Sequence, residues 1–329
     1  MRNMICSAIV LLLLISCGET KKKSNEDFLP DASGAINNVS VVTENDLWEG
    51  RVGDAIRTVL TKPIYGLPQD EPMFSISQIP SSVFSGFVTK NRTVLIINPK
   101  NAKGFNIATN VYAKPQKVIT VSGKTKEEII EVLSENESKI IEIFRGEELA
   151  ERQRQMMKSP HTFKSIQEKL GLTMQFASIY RKATETEDFF WFRKDITTGT
   201  NNLMLYELPL NAIKRNDSLV SQIIKIRDSV GKTYIEGPVE GSYMVTEDAY
   251  APYITETIID NKPAIETRGI WDVKNAFMAG PFINYAIEDK ANNRWVVIEG
   301  FSFAPSVEKR NYMLELESII KSVKIDLSI

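Results

Sequence analysis

Residues 242–303 run SYMVTEDAYAPYITETIIDNKPAIETRGIWDVKNAFMAGPFINYAIEDKANNRWVVIEGFSF. Aromatic and β-branched side chains fill this stretch, broken by the turn signals Asp260-Asn261-Lys262-Pro263, Gly280-Pro281 and Asn292-Asn293. Short runs of that composition between turns predict an antiparallel meander. Beyond it, Ser306 can cap a helix whose Met313, Leu316, Ile320 and Val323 face the sheet. Before it, Asp217 can cap a helix carrying Leu219, Ile223, Ile226 and Val230, while Phe189 to Arg193 and Leu203 to Leu208 are β-prone.

The first half alternates in the same way. Val39, Val41 and Val42 predict a strand, and Val52, Ala55, Ile56, Val59 and Leu60 recur at helical spacing until Pro63 closes the segment. Further strands are expected at Met73 to Ile76, Val83 to Val88, Thr93 to Ile97 and Val118 to Val121. Thr125 and Glu128 form a T-x-x-E capping box for a helix that keeps Ile129, Leu133, Ile140 and Phe144 on one face. Past Gly146 the helix becomes mostly charged, with Glu147, Glu148, Glu151, Arg152 and Arg154, and it ends near Ser159-Pro160. Strands in succession with helices at the ends of each half predict an α+β class: an N-terminal domain over 37–158 and a C-terminal one over 165–329, with mainly antiparallel sheets packed by helices. Both halves run from helix to sheet to closing helix, so a distant duplication is one account of them.

The amino terminus has a different logic. Arg2, an apolar run from Met4 to Ser16 and then Cys17 give charge, apolar core and a small residue at a cut. The run is shorter than the ~20 residues a membrane span needs. Residues 1–16 therefore read as an export signal, and Leu14-Ile15-Ser16-Cys17 resemble the lipobox of bacterial lipoprotein precursors. That resemblance implies lipidation of Cys17, with long acyl chains such as palmitate and a polar tether over 17–36. At ~0.8 kcal/mol per buried methylene, two or three such chains would make release from the membrane negligible. An ordinary cleaved signal with an incidental cysteine explains the apolar core but not the polar tether behind it.

Composition excludes more than it assigns. Cys6 and Cys17 are the only cysteines, so the mature body forms no disulfide; about 310 residues can bury a core without one. A net charge of −2 argues against a nucleic-acid surface. The strand Val118 to Val121 runs into Ser122-Gly123-Lys124-Thr125, but a phosphate loop needs glycine where Val118 stands, so Thr125 reads as a helix cap. His161 is the single histidine, too little for zinc or for a serine triad without a G-x-S-x-G elbow, and reads as solvated. Ser229, Ser306 and Ser318 each begin an S-x-x-K match without the companion K-T-G and S-D-N signatures. No cofactor or metal is implied.

Two readings of the body remain. Glu236 and Glu240 flank Gly237-Pro238, with Glu247, Asp248 and Glu256 nearby, so a pair of carboxylates at a set separation could serve a glycan-acting hydrolase. Aromatics from Tyr243 to Phe303 are mainly core, but Tyr243, Tyr250 and Tyr253 look like loop residues that could meet a protein, glycan or lipid partner.

Six stretches carry a family likeness: Asn45-Asp46-Leu47-Trp48, Gly66-Leu67-Pro68-Gln69-Asp70-Glu71-Pro72, Val83-Phe84-Ser85-Gly86-Phe87, Tyr112-Ala113-Lys114-Pro115-Gln116, Gly237-Pro238-Val239-Glu240-Gly241-Ser242-Tyr243 and Met278-Ala279-Gly280-Pro281-Phe282-Ile283-Asn284-Tyr285. In these the chain resembles, over nearly its whole mature length, exported lipoproteins of Bacteroidota known as domain of unknown function 4837. The resemblance implies an anchored envelope protein, at the outer membrane on its periplasmic or surface face, and supplies no activity or catalytic residues to carry over. The closing Ile319-Ile320-Lys321-Ser322-Val323 is similar to the tail of the PsbP-like α/β/α sandwich. Asp217-Ser218-Leu219 and Asp228-Ser229-Val230 resemble the Asp-Ser-aliphatic sites that such bacteria O-glycosylate. The expectation is a lipid-anchored envelope protein with a non-enzymatic binding or structural body; the alternative is the hydrolase.

Overall fold

The computed structural model describes residues 28–325, so the signal, Cys17 and the tether up to residue 27 lie outside the described residues. The chain is α+β with mainly antiparallel sheet. The first half contains β1 (Asn38–Val42), α1 (Asn45–Trp48), α2 (Arg51–Leu60), β2 (Ser75–Ile79), β3 (Thr93–Asn98), β4 (Gly104–Thr109), β5 (Lys117–Ser122), α3 (Lys126–Glu135) and α4 (Glu137–Met156). Its sheet order is β2-β1-β3-β5-β4, and here the antiparallel expectation is reversed, because only β4 opposes its neighbour. Parallel neighbours need crossovers, which α1 and α2 supply between β1 and β2, and strands covered on both faces read as unbroken apolar runs, as β3 does.

One face of this sheet packs Val39, Leu95 and Ile119 against Ile56, Leu133 and Phe144 of the helices. The other gathers Val42, Val94 and Val118 under Phe84. The strand expected at Val83 to Val88 is instead a pair of 3-10 turns, Ser81–Val83 and Gly86–Lys90, the second opening on Gly86 at φ +62°. Phe84 turns inward there while Val83 and Phe87 stay exposed. The capping box at Thr125 forms, with Glu128 N donating to Thr125 Oγ1. The single long helix expected after it is broken at Asn136, whose φ of −109° ends α3 and begins α4.

The second half opens with β6 (Pro160–His161), α5 (Lys164–Leu170), β7 (Leu172–Thr173) and β8 (Phe176–Ala177). The meander follows: β9 (Arg181–Glu185), β10 (Phe189–Ile196), β11 (Gly199–Pro209), then α6 (Leu219–Tyr234), β12 (Tyr243–Thr246), β13 (Tyr253–Ile259), β14 (Lys262–Lys274), β15 (Ala279–Asp289) and β16 (Arg294–Phe303). Eight strands join antiparallel in the order β12-β14-β15-β16-β11-β10-β9, with β13 sharing the outer edge of β14. Gly280-Pro281 lies inside β15 rather than in a turn, since a Cβ on Gly280 would strike the Ser302 carbonyl at 2.1 Å. The reversal falls at Asn275, whose φ of +67° suits asparagine. The chain closes with α7 (Arg310–Ile320) and β17 (Lys324–Ile325), the latter paired with β7.

Side chains alternate across this sheet and each face has its own helix. Leu203, Leu205, Tyr285 and Ile298 meet Leu316, Ile319 and Ile320 of α7, and Met204, Phe282, Ala286 and Val297 meet Ile223 of α6 on the opposite side. The result is three layers, helix on sheet on helix. Because this half is wholly antiparallel and three of the four pairings in the first are parallel, the two sheets do not repeat one topology.

Neither expected cap on α6 and α7 is used. Asn216, not Asp217, gathers the backbone and hydroxyl of Ser218 ahead of α6. At α7, Ser306 sits at φ +65° outside the helix, and Glu71 of the first half accepts from Lys309 N and Arg310 N, each at 2.7 Å. That carboxylate does from across the molecule what a cap residue does locally, and it also favours the positive end of the helix dipole.

Candidate functional site

The α7 face is sealed by charge as well as by grease. Glu317 is 1% exposed and meets Arg145 of α4, Arg268 of β14 at 3.0 Å and Lys321 at 3.0 Å. Glu315 meets Arg152 of α4 at 2.5 Å, Lys194 at 2.7 Å and the Tyr180 hydroxyl at 2.8 Å. Burial alone would raise these carboxyls, but the surrounding cations reverse it: Arg145, Arg268 and Lys321 hold Glu317 well below the usual carboxylate range, and Arg152 and Lys194 lower Glu315. Through Arg145 and Arg152, α4 and its mostly charged end form the seam between the halves.

The α6 face is built differently. Arg227 of α6, 1% exposed, holds Glu299 of β16 at 2.8 Å and lies 3.8 Å above the Phe282 ring. Asn284 donates to Glu299 at 2.9 Å, and the Arg227 guanidinium also reaches Thr246 Oγ1 at 2.8 Å. Burial pushes the Glu299 carboxyl up, and one guanidinium with one amide offsets this only in part. Gly231 lets α6 ride directly on β12, since any Cβ there would meet the Met244 carbonyl at 2.3 Å.

Past the carboxyl end of α6 the sheet face is only partly covered, and a cleft of about 460 Å³ opens over β10, β11 and β16, with Trp191 and Phe303 half-buried and Trp271 and Phe301 buried beneath. Trp191, Trp271, Phe301 and Phe303 form its floor and walls, with Met244 and Met278 at the side. Trp271 and Phe301 pack edge to face at 5.7 Å. Its polar atoms are occupied: Trp191 Nε1 donates to Asn202 Oδ1 at 3.1 Å, Asn202 Nδ2 to Thr200 Oγ1 at 3.0 Å, and Trp271 Nε1 to the Ser302 carbonyl at 3.3 Å. Arg193, Asp195 and Glu236 stand at the rim. Asp195 is lowered chiefly by its hydrogen bond from Arg181, with Arg193 adding to it.

The sequence-flagged residues divide around this cleft. Glu236 lines it and Glu240 does not; both are exposed. Glu247 and Asp248 line a neighbouring open groove of about 960 Å³ with Asp228 and Asp272, which meets the cleft at Val273 and Met278. Glu256 pairs with Arg215. Tyr250 is exposed, and Tyr253 stacks on Tyr65 of the first half at 4.6 Å. His161 is exposed in β6 with its ring 4.4 Å from Phe163. Ser229 lies on α6, and Ser318 is buried in α7 donating to the Glu315 carbonyl. Among the described residues no group of three or more His, Cys, Asp or Glu is placed to hold a metal ion, and no helix is long and apolar enough to cross a membrane. Sequence reasoning missed the cleft because Trp191, Asn202 and Trp271 look like ordinary core positions of separate strands; their one shared signal is two indoles on strands that the register places in a single sheet.

Residues 159–322 match a family model described as a domain of unknown function (DUF4837), and residues 32–157 match a second one, also a domain of unknown function (DUF8532). The likeness read over nearly the whole mature chain therefore divides, with Asn45 to Gln116 falling in the second family and Gly237 to Tyr285 in the first. No curated protein matches the chain.

Proposed function

We propose that this is an exported protein held at the cell envelope by lipid on Cys17, whose body is a non-enzymatic binding module that takes a ligand in the aromatic cleft beyond α6. The observation that carries the reading is the cleft itself: a sheet face otherwise closed by α6 is left open where it is richest in aromatic side chains. The rim groups support binding over turnover. Asp195 is engaged by two guanidiniums, and Glu240, which the hydrolase reading pairs with Glu236, does not line the cleft. The outer-membrane address and the envelope partner belong to the same proposal and rest on the lipobox-like sequence.

Two measurements test it. Mass spectrometry of the native protein should find an acylated Cys17 as first residue, and an unmodified amino terminus overturns the anchor. Native mass spectrometry of the secreted full-length Cys17→Ser chain should find a small molecule carried from the cell and absent after Trp191→Ala. A chain recovered in both forms at the mass of its own sequence, with nothing added, counts against the binding site.

A further inference from the structure

Resting on that reading of the cleft, the geometry points to its ligand class: the aliphatic chain of a single-tailed amphiphile, with its head left in water at the Arg193–Asp195–Glu236 rim. The decision between a sugar and a hydrocarbon is made by the floor. A sugar entering it would surrender its hydroxyls' water, and each buried polar group left without a partner costs about 1–3 kcal/mol. The partners it would need are already committed to one another, Trp191 Nε1 to Asn202, Asn202 to Thr200, and Trp271 Nε1 to a strand carbonyl. A hydrocarbon asks for none of them. Met278, unbranched, polarizable and half-buried, gives a side that can conform to a bending chain, with the buried Met244 behind it. The formal charges at the mouth favour neither sign strongly, with Arg181 and Arg193 balanced by Asp195 and Glu236.

The test follows the tryptophan fluorescence of the full-length Cys17→Ser chain as it is titrated with straight-chain alcohols from hexanol to decanol and, separately, with cello- and chito-oligosaccharides. Affinity should fall about fourfold for each methylene removed, the value of burying one CH₂ group, and the oligosaccharides should leave the spectrum unchanged. Met278→Lys should weaken alcohol binding at least tenfold with an unaltered melting temperature. Thr200→Val, which removes a hydroxyl from the floor, should leave it equal or tighter; if Met278→Lys fails to fold, this variant carries the comparison. Oligosaccharide binding that Thr200→Val weakens would overturn the ligand class and leave the binding site standing. Silence toward both series would overturn the class and the site together.

Discussion

The two faces of the eight-stranded sheet bury carboxylates at the same depth and treat them oppositely. On the α7 face Glu317 has three cations around it and is held well below its ordinary value; on the α6 face Glu299 has one and is raised. The first face is where the halves of the chain meet, and the second ends in an open cleft. Surplus counter-charge accompanies closure, and the face with only a single guanidinium is the one that stays accessible. A buried pair is weak evidence for stability by itself, because desolvation consumes much of the attraction, whereas removal of one partner is costly.

The largest expected effect is therefore at Glu317. Glu317→Gln strands three cations and should cost about 3–5 kcal/mol in urea unfolding. The same experiment as a function of pH sharpens the contrast. Glu317 lies below its ordinary 4.5, so its contribution is complete above about that pH and is lost as pH falls. Glu299 lies above 4.5, so the folded chain takes up that proton before the unfolded chain does, and acid relieves its burial. Arg227→Met should consequently cost about 3 kcal/mol at neutral pH and recover part of it on acidification. A Glu317→Gln chain that kept the full acid sensitivity of the parent would break the comparison.

Glu71→Ala comes next, at about 2 kcal/mol, since it removes the cap of α7 and leaves two buried amides unpaired. The loss should be measured with the exchange rate of the Lys309 and Arg310 amides, which a cap accelerates when deleted. Thr125→Ala, a cap satisfied within its own turn, should cost about 1 kcal/mol. The smallest effect is at the cleft rim, where Glu236→Gln should leave the unfolding midpoint unchanged; a clear gain or loss would mean that the rim is part of the scaffold.

What could be read from the chain was what is decided locally. The meander and the Thr125 box are stated by residues a few positions apart, and both are present. The parallel order of β1, β2, β3 and β5 was hidden because apolar spacing reports which face a strand buries and not which neighbour it takes. Val83 to Val88 has the composition of a strand, yet Gly86 in the left-handed region turns it away from any ladder. The charged turns of α4 gave no sign of a partner because the counter-ions of Arg145 and Arg152, Glu317 and Glu315, lie on α7 more than a hundred and sixty residues away. The candidate cleft was invisible for the same reason, being assembled from β10, β11, β14 and β16.

The cap that Glu71 provides has a consequence in time. It joins positions 238 residues apart, and α7 follows every strand of the large sheet along the chain. Until that helix returns to the early segment, neither its own end nor the α7 face of the large sheet can close, whereas the first half has a core of its own and can pack before it. The large sheet is therefore finished by a residue that the chain laid down before any of its strands.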